Sequence, residues 1–288
     1  MINSNGLLVG EDADLPKSII KHSPIEIFLY IVNWPSFKDS SSFYTQMRKS
    51  IIDAPTTSQP SAKTFKELFT DNLKKYQDII VITISESFSG TYNSANQAKK
   101  ILSEKDQKRI HIIDSESSSG SEALLTLKAL QLISKELEVD IILRRLKKII
   151  PTLHLIGVFD DPKWLQKGGR INAVQAMLVK NMLKVGFRPI LTIRDGQIVT
   201  KKIQVNAKDK TGALFSQFKE EVAIYNGLSK QITVVITHSD CKKEAILLKK
   251  MIENYSQAIT IKFINTISPV IGAHLGYDAL LLSWMVES

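Results

Sequence analysis

The chain has 288 residues, 43% hydrophobic and 23% charged, the balance of an ordinary globular protein with room for one large or two average domains. A single cysteine, Cys241, excludes an internal disulfide and a cysteine-rich zinc site, and no apolar run reaches membrane-span length. The 38 Lys and Arg against 29 Asp and Glu give a formal +9, but the excess lies in helix-like pairs such as Arg144-Arg145 and Lys147-Lys148, without an accompanying nucleic-acid motif. An acidic ligand or partner is therefore expected, not a nucleic acid.

Met1–Gly10 lacks the basic start and apolar core of a signal peptide, so a cytoplasmic setting is expected. Leu7–Val9 and Glu26–Ile31 read as short strands, and Lys63–Lys75 reads as a helix entered through Thr56-Thr57-Ser58-Gln59-Pro60-Ser61. Ser61 suits an N-cap and Pro60 a rigid entry, which leaves Thr57 and Ser58 as hydroxyls beyond what a cap requires. The apolar run Asp78–Ser85 reads as a strand, followed by Glu86-Ser87-Phe88-Ser89-Gly90-Thr91-Tyr92 and a helix over Asn93–Ser103. The same grammar recurs as a strand over Arg109–Ser115, the loop Glu116-Ser117-Ser118-Ser119-Gly120 and a helix over Ser121–Leu137. Strand, Ser/Gly loop and helix start in that order suggest an anion pocket of free backbone N–H groups at a helix N-terminus. At the carboxyl ends of parallel strands such loops are where ligands bind.

Strand–helix alternation in the first half predicts a parallel sheet with helices on both faces. The helix over Ile141–Ile150 stops at Pro151, which sets an expected boundary: a parallel α/β domain over residues 1–150 and an α+β domain over 151–288. In the second half Thr152–Phe159 reads as a strand and Asn172–Lys184 as an amphipathic helix. Pro189–Ile193 and Gln197–Ile203 flank Asp195-Gly196 as a hairpin. Gln231–Thr237, a helix over Asp240–Tyr255 and Ala258–Ile264 follow, and Tyr277–Val286 reads as an apolar helix. This predicts a mainly antiparallel or mixed sheet.

Ser89 admits three readings: an anion-holding hydroxyl, plain loop structure, or a nucleophile. The last lacks the glycine two residues upstream that a nucleophile elbow needs, since position 87 is Ser. Lys167-Gly168-Gly169-Arg170 precedes the amphipathic helix, where a cation opposes the helix dipole and calls for an anion or an acidic side chain. His274 sits in a loop between Gly272 and Gly276, whose spacing implies tight backbone packing around it, as a donor or a cation able to complete a carboxylate site. The remaining histidines lack metal-ligand spacing and Lys210-Thr211 lacks P-loop glycines, so neither a metal nor a cofactor is expected.

Taken in order, Thr57-Ser58-Gln59-Pro60-Ser61, Phe88-Ser89-Gly90-Thr91-Tyr92 with Ser94-Ala95, Lys167-Gly168-Gly169-Arg170-Ile171 and Gly272-x-His274-x-Gly276 resemble the signatures of the DegV family. Asp12-Ala13-Asp14-Leu15-Pro16 and Arg188-Pro189-Ile190-Leu191 with Asp195-Gly196 extend the likeness over nearly the whole chain. The resemblance implies a non-enzymatic, two-domain α/β protein that holds one long-chain fatty acid in a slot between its domains. It implies that Thr57, Ser89 and His274 meet the carboxylate, with Ser58, Gly90 and Thr91 beside them. A fatty-acid kinase is the implied partner, with Arg170 facing the phosphate or that partner, and transient membrane contact accompanies delivery. The chain departs from the family pattern at Gly10-Glu11-Asp12, Gly276-Tyr277-Asp278 and Val205-Asn206-Ala207-Lys208. Two readings from other classes stand beside it: a serine hydrolase using Ser89 and His274, and a binding module for another acidic metabolite.

Overall fold

The computed structural model describes residues 3–34, 42–49, 54–205, 209–225 and 230–287; Asn206–Lys208 thus lie outside the described residues. In chain order the strands are β1 (Asn3–Gly10), β2 (Ile25–Phe28), β3 (Ile31–Asn33), β4 (Thr56–Ser58), β5 (Tyr76–Thr83), β6 (Ile110–Asp114), β7 (His154–Val158), β8 (Arg188–Arg194), β9 (Gln197–Gln204), β10 (Ile232–His238), β11 (Ile259–Thr266) and β12 (Leu280–Val286). Two compact units result. One comprises residues 1–31, 58–153 and 195–197; the other comprises 32–57, 154–194 and 198–288. The chain leaves the first unit at Leu153, close to Pro151, but residues 32–57 group with the second.

The first unit is built on a four-stranded parallel sheet in the order β2-β1-β5-β6. Side-chain alternation places Leu8, Ile79 and Val81 on one face, where Phe65 and Phe69 of the helix Ala62–Asn72 and Ala95 and Ala98 of the helix Thr91–Lys100 cover them. The alternate residues Leu7, Val9, Ile80 and Ile82 are also buried, and the helix Ser119–Ile133 contacts β1 and β5. Burial on both faces is why these strands read as continuous apolar runs. Because β2 and β6 lie on opposite sides of the β1–β5 pair, the sheet reverses its order there. The loops after β1 and β5 carry Asp12 and Ser89 at this switch point.

The second unit holds a six-stranded mixed sheet, β11-β10-β12-β7-β8-β9, in which β10 and β11 are parallel while β12 runs antiparallel to β10 and β7. The Tyr277–Val286 segment is a correction to the sequence reading: Leu280–Val286 is a strand, not a helix, and it is central. A short apolar run buried on both faces has no periodicity that separates strand from helix. Trp284 anchors it, fully buried, with its ring stacked on His154 at 4.9 Å and edge-on to Phe218 at 5.2 Å. A second correction follows: His274 lies in a short helix, Pro269–Leu275, not in a loop.

Candidate functional site

Three glycines of the second unit pack the surroundings of the candidate residue His274. His274 projects from the helix Pro269–Leu275, and its Nε2 lies 2.8 Å from Thr57 Oγ1 in the middle of β4. Gly168 packs directly against the imidazole, so that a Cβ there would overlap His274 Nδ1. Gly272 lets the Tyr44 ring reach the helix, where its hydroxyl donates to the Ile267 carbonyl at 2.8 Å. Gly276 ends the helix at φ +79°, a conformation that favours glycine, and sits on the Trp164 indole. The spacing of Gly272 and Gly276 signalled tight packing around His274, whereas nothing in the sequence linked Gly168 to that ring. The structure supplies their partners Tyr44 and Trp164, which no motif signalled.

Burial, followed by the charge of nearby Arg170, pushes the His274 pKa down to about 4. His274 is therefore a neutral imidazole at neutral pH, not the cation that would bind a carboxylate most strongly. Its Nδ1 is buried without a hydrogen-bond partner. An orphaned buried N–H is rarer than an under-used acceptor, so the network assigns the proton to Nε2. Nε2–H then donates to Thr57 Oγ1, and the Thr57 hydroxyl proton is left for a ligand. Arg170 precedes the helix Ala173–Lys184, and Asn172, not Arg170, caps that helix through a capping box with Gln175. The Arg170 guanidinium donates from Nη1 to the Gly168 carbonyl, which ties the glycine pair to the same cluster.

In the first unit Ser89, Gly90 and Thr91 form a second cluster. The amides expected to stand free there are largely consumed, which corrects the anion-pocket reading. Phe88 and Ser89 N–H donate to the Ser85 carbonyl, Ser87 N–H to Ser85 Oγ and Glu86 N–H to Asp114 Oδ2. Asp114 also accepts from Glu116 N–H at 2.9 Å, so one carboxylate ties the two Ser/Gly loops together. The polar groups this loop offers are hydroxyls. Ser89 Oγ lies 2.8 Å from Thr91 Oγ1, which donates to the Tyr30 hydroxyl at 3.0 Å, which donates to Asp12 Oδ2 at 3.1 Å. Gly90 leaves space for Gln59, whose amide nitrogen would lie 2.7 Å from a Cβ there. Ser58, before it, is half-buried at the end of β4. In the echo loop Ser119 is buried and donates to Asp14 Oδ2 at 2.5 Å, a structural use.

A nucleophilic serine needs a base in its hydrogen-bonding set. The side chain bonded to Ser89 is Thr91. Among the described residues, no group of three or more His, Cys, Asp or Glu side chains could hold a metal ion. No helix of the described residues is long and apolar enough to cross a membrane.

A family model described as "Uncharacterised protein, DegV family" matches residues 12–287. The chain belongs to the DegV family. Protein DegV of Bacillus subtilis is 30% identical, over 85% of this chain and 84% of its own length. A crystallised DegV family protein of Thermus thermophilus, described by its fatty-acid binding, superposes with a TM-score of 0.87 at 19% identity, covering 99% of this chain and 100% of that one. A stearic acid-binding protein of Eubacterium ventriosum gives 0.84 at 20% identity over 99% and 98%. The fold is thus that of the DegV family, a parallel sheet in one unit and a mixed sheet in the other.

Proposed function

We propose that this chain binds a long-chain fatty acid, with Thr57, Ser89 and His274 as the residues that receive its carboxylate. The observation that carries the reading is the Thr57–His274 pair, whose neutral imidazole leaves the threonine hydroxyl as a donor. Fatty-acid binding by crystallised family members supports it. A methylene is worth roughly 0.8 kcal/mol on burial, so a sixteen-carbon chain supplies on the order of 10 kcal/mol before association costs. A neutral hydrogen bond adds about 1 kcal/mol net. The apolar tail therefore sets affinity, and the hydroxyls and imidazole set orientation and head-group choice.

On this reading the chain is a binding protein with a cytoplasmic setting that offers its carboxylate to a fatty-acid kinase, and Arg170 serves that exchange. The helix Ala173–Lys184 exposes Val174, Met177 and Leu178 among Lys180 and Lys184, a composition suited to transient contact with an anionic membrane surface. Native mass spectrometry of gently purified protein tests the central claim. An acyl mass, or uptake of added oleate, supports it; neither one sinks it. Fluorophosphonate labelling of Ser89 would instead favour a serine hydrolase. Arg170→Ala should keep lipid binding and lose phosphoryl transfer with a kinase; equal turnover removes that role.

A further inference from the structure

The Ser89 hydroxyl is the outer end of a hydrogen-bonded chain that runs through Thr91 and Tyr30 to Asp12, a carboxyl with no solvent exposure. Asp12 lies in a short helical turn after β1, with Glu11 and Asp14 on the same turn. Glu122 faces it from the helix Ser119–Ile133, also fully buried, and Asp14 and Asp114 add their charge to Glu122. Asp12 Oδ1 and both Glu122 oxygens have no other hydrogen-bond partner. A buried pair of acids with orphaned oxygens is stable only while it holds protons. Burial, the first cause, and the neighbouring acids hold Glu122 protonated well above the usual carboxylate range and raise Asp12 to about 7.

Each hydroxyl in the chain has one proton to give. With Asp12 ionised, Tyr30 donates to Asp12, Thr91 to Tyr30 and Ser89 to Thr91. Every donor points inward, and Ser89 offers a ligand only lone pairs. With Asp12 protonated the polarity reverses: Asp12 donates to Tyr30, Tyr30 to Thr91 and Thr91 to Ser89. Ser89 then accepts from Thr91 and presents its own O–H outward. A carboxylate, which only accepts, is matched by the second state.

We propose that Asp12 and Tyr30 are positioning residues for the head group, setting the donor direction of Ser89, so that a carboxylate bound at Ser89 brings one proton from solvent onto Asp12. No O–H bond breaks in the reversal: three hydroxyls rotate and Asp12 gains the proton. The proposal rests on the fatty-acid reading above. Its consequence is that the protein favours its ligand more strongly as pH falls through neutrality, at a site whose own ligand contacts carry no titrating group in that range.

Calorimetric titration of lipid-stripped full-length protein with oleate, in two buffers of different ionisation enthalpy, counts the protons. About one proton per oleate should be taken up at pH 8 and almost none at pH 6, with affinity weakening several-fold between them. Tyr30→Phe should abolish the uptake at pH 8, and Thr91→Val should do the same by cutting the next link. Oleate binding without proton uptake at pH 8, or wild-type uptake in both variants, overturns the relay and leaves fatty-acid binding intact. Failure of oleate to bind at either pH overturns both readings.

Discussion

Thr57 and His274 are separated by 217 positions in the chain and by 2.8 Å at Oγ1 and Nε2. A neutral imidazole behind a threonine hydroxyl orients that hydroxyl instead of neutralising a charge. Thr57→Val keeps the side-chain shape and removes the donor. The loss of one hydrogen bond to a carboxylate, about 1.5–3 kcal/mol, should weaken oleate binding roughly 10- to 100-fold without unfolding the protein. Titration of the variant checks this; unchanged affinity would remove Thr57 from the head-group site.

Gly168 and Gly169 make a matched pair of tests. A Cβ at Gly168 would overlap the His274 ring, whereas at Gly169 nothing lies within 4 Å and only the backbone, at φ +73°, resists a side chain. Gly169→Ala should cost about 1 kcal/mol through backbone conformation alone. Gly168→Ala should cost about 1–3 kcal/mol and also displace the imidazole. Ring-proton NMR shifts of His274 separate the two: moved by Gly168→Ala, unmoved by Gly169→Ala.

The parallel sheet was legible because β1, β5 and β6 are apolar runs spaced by helix-length crossovers, and Asp195-Gly196 marked its hairpin outright, both residues having positive φ. The strand β12 was not, since six buried residues in a row carry no period. Among the candidate residues, Thr57, Ser89 and His274 announced themselves through hydroxyl and glycine clusters. Tyr30 and Glu122 did not, because a tyrosine beyond a strand and a glutamate in the first turn of a helix have ordinary surface explanations. Only tertiary burial turns them into a linked pair with Asp12. The amides of the Glu86–Gly90 loop were misjudged for a related reason: their acceptors, Ser85 and Asp114, are brought to them by the fold.

His274 makes an acid-labile contribution to stability. Its folded pKa of about 4 lies below the ordinary value of 6.5, so the unfolded chain binds more protons between these limits. The stabilisation from keeping the imidazole neutral is complete above pH 6.5 and is lost as pH falls towards 4, by about 2–3 kcal/mol for this group. Because Asp12 titrates in the opposite direction in both proteins, urea unfolding at pH 7 and pH 5 should show His274→Asn gaining stability relative to the wild type as the pH falls. Equal slopes would show that His274 does not titrate in this window.

Asp12 carries the opposite sign. Its folded pKa, raised to about 7 from 3.8, makes the native state bind more protons than the unfolded chain across that interval. Stability from this group is therefore greatest at low pH, is lost as pH rises through 7, and stays low above it. Asp12→Asn keeps an acceptor for Tyr30 but cannot ionise, so it should raise the melting temperature at pH 8. The gain should shrink towards pH 5, where the wild-type carboxyl is already protonated. A variant less stable than wild type at pH 8 would mean that the ionised carboxylate is itself required by the fold. Because Asp12 and His274 act in opposite directions, the double variant should show a flatter stability–pH profile than either parent, and thermal melts from pH 5 to 8 measure that flattening directly.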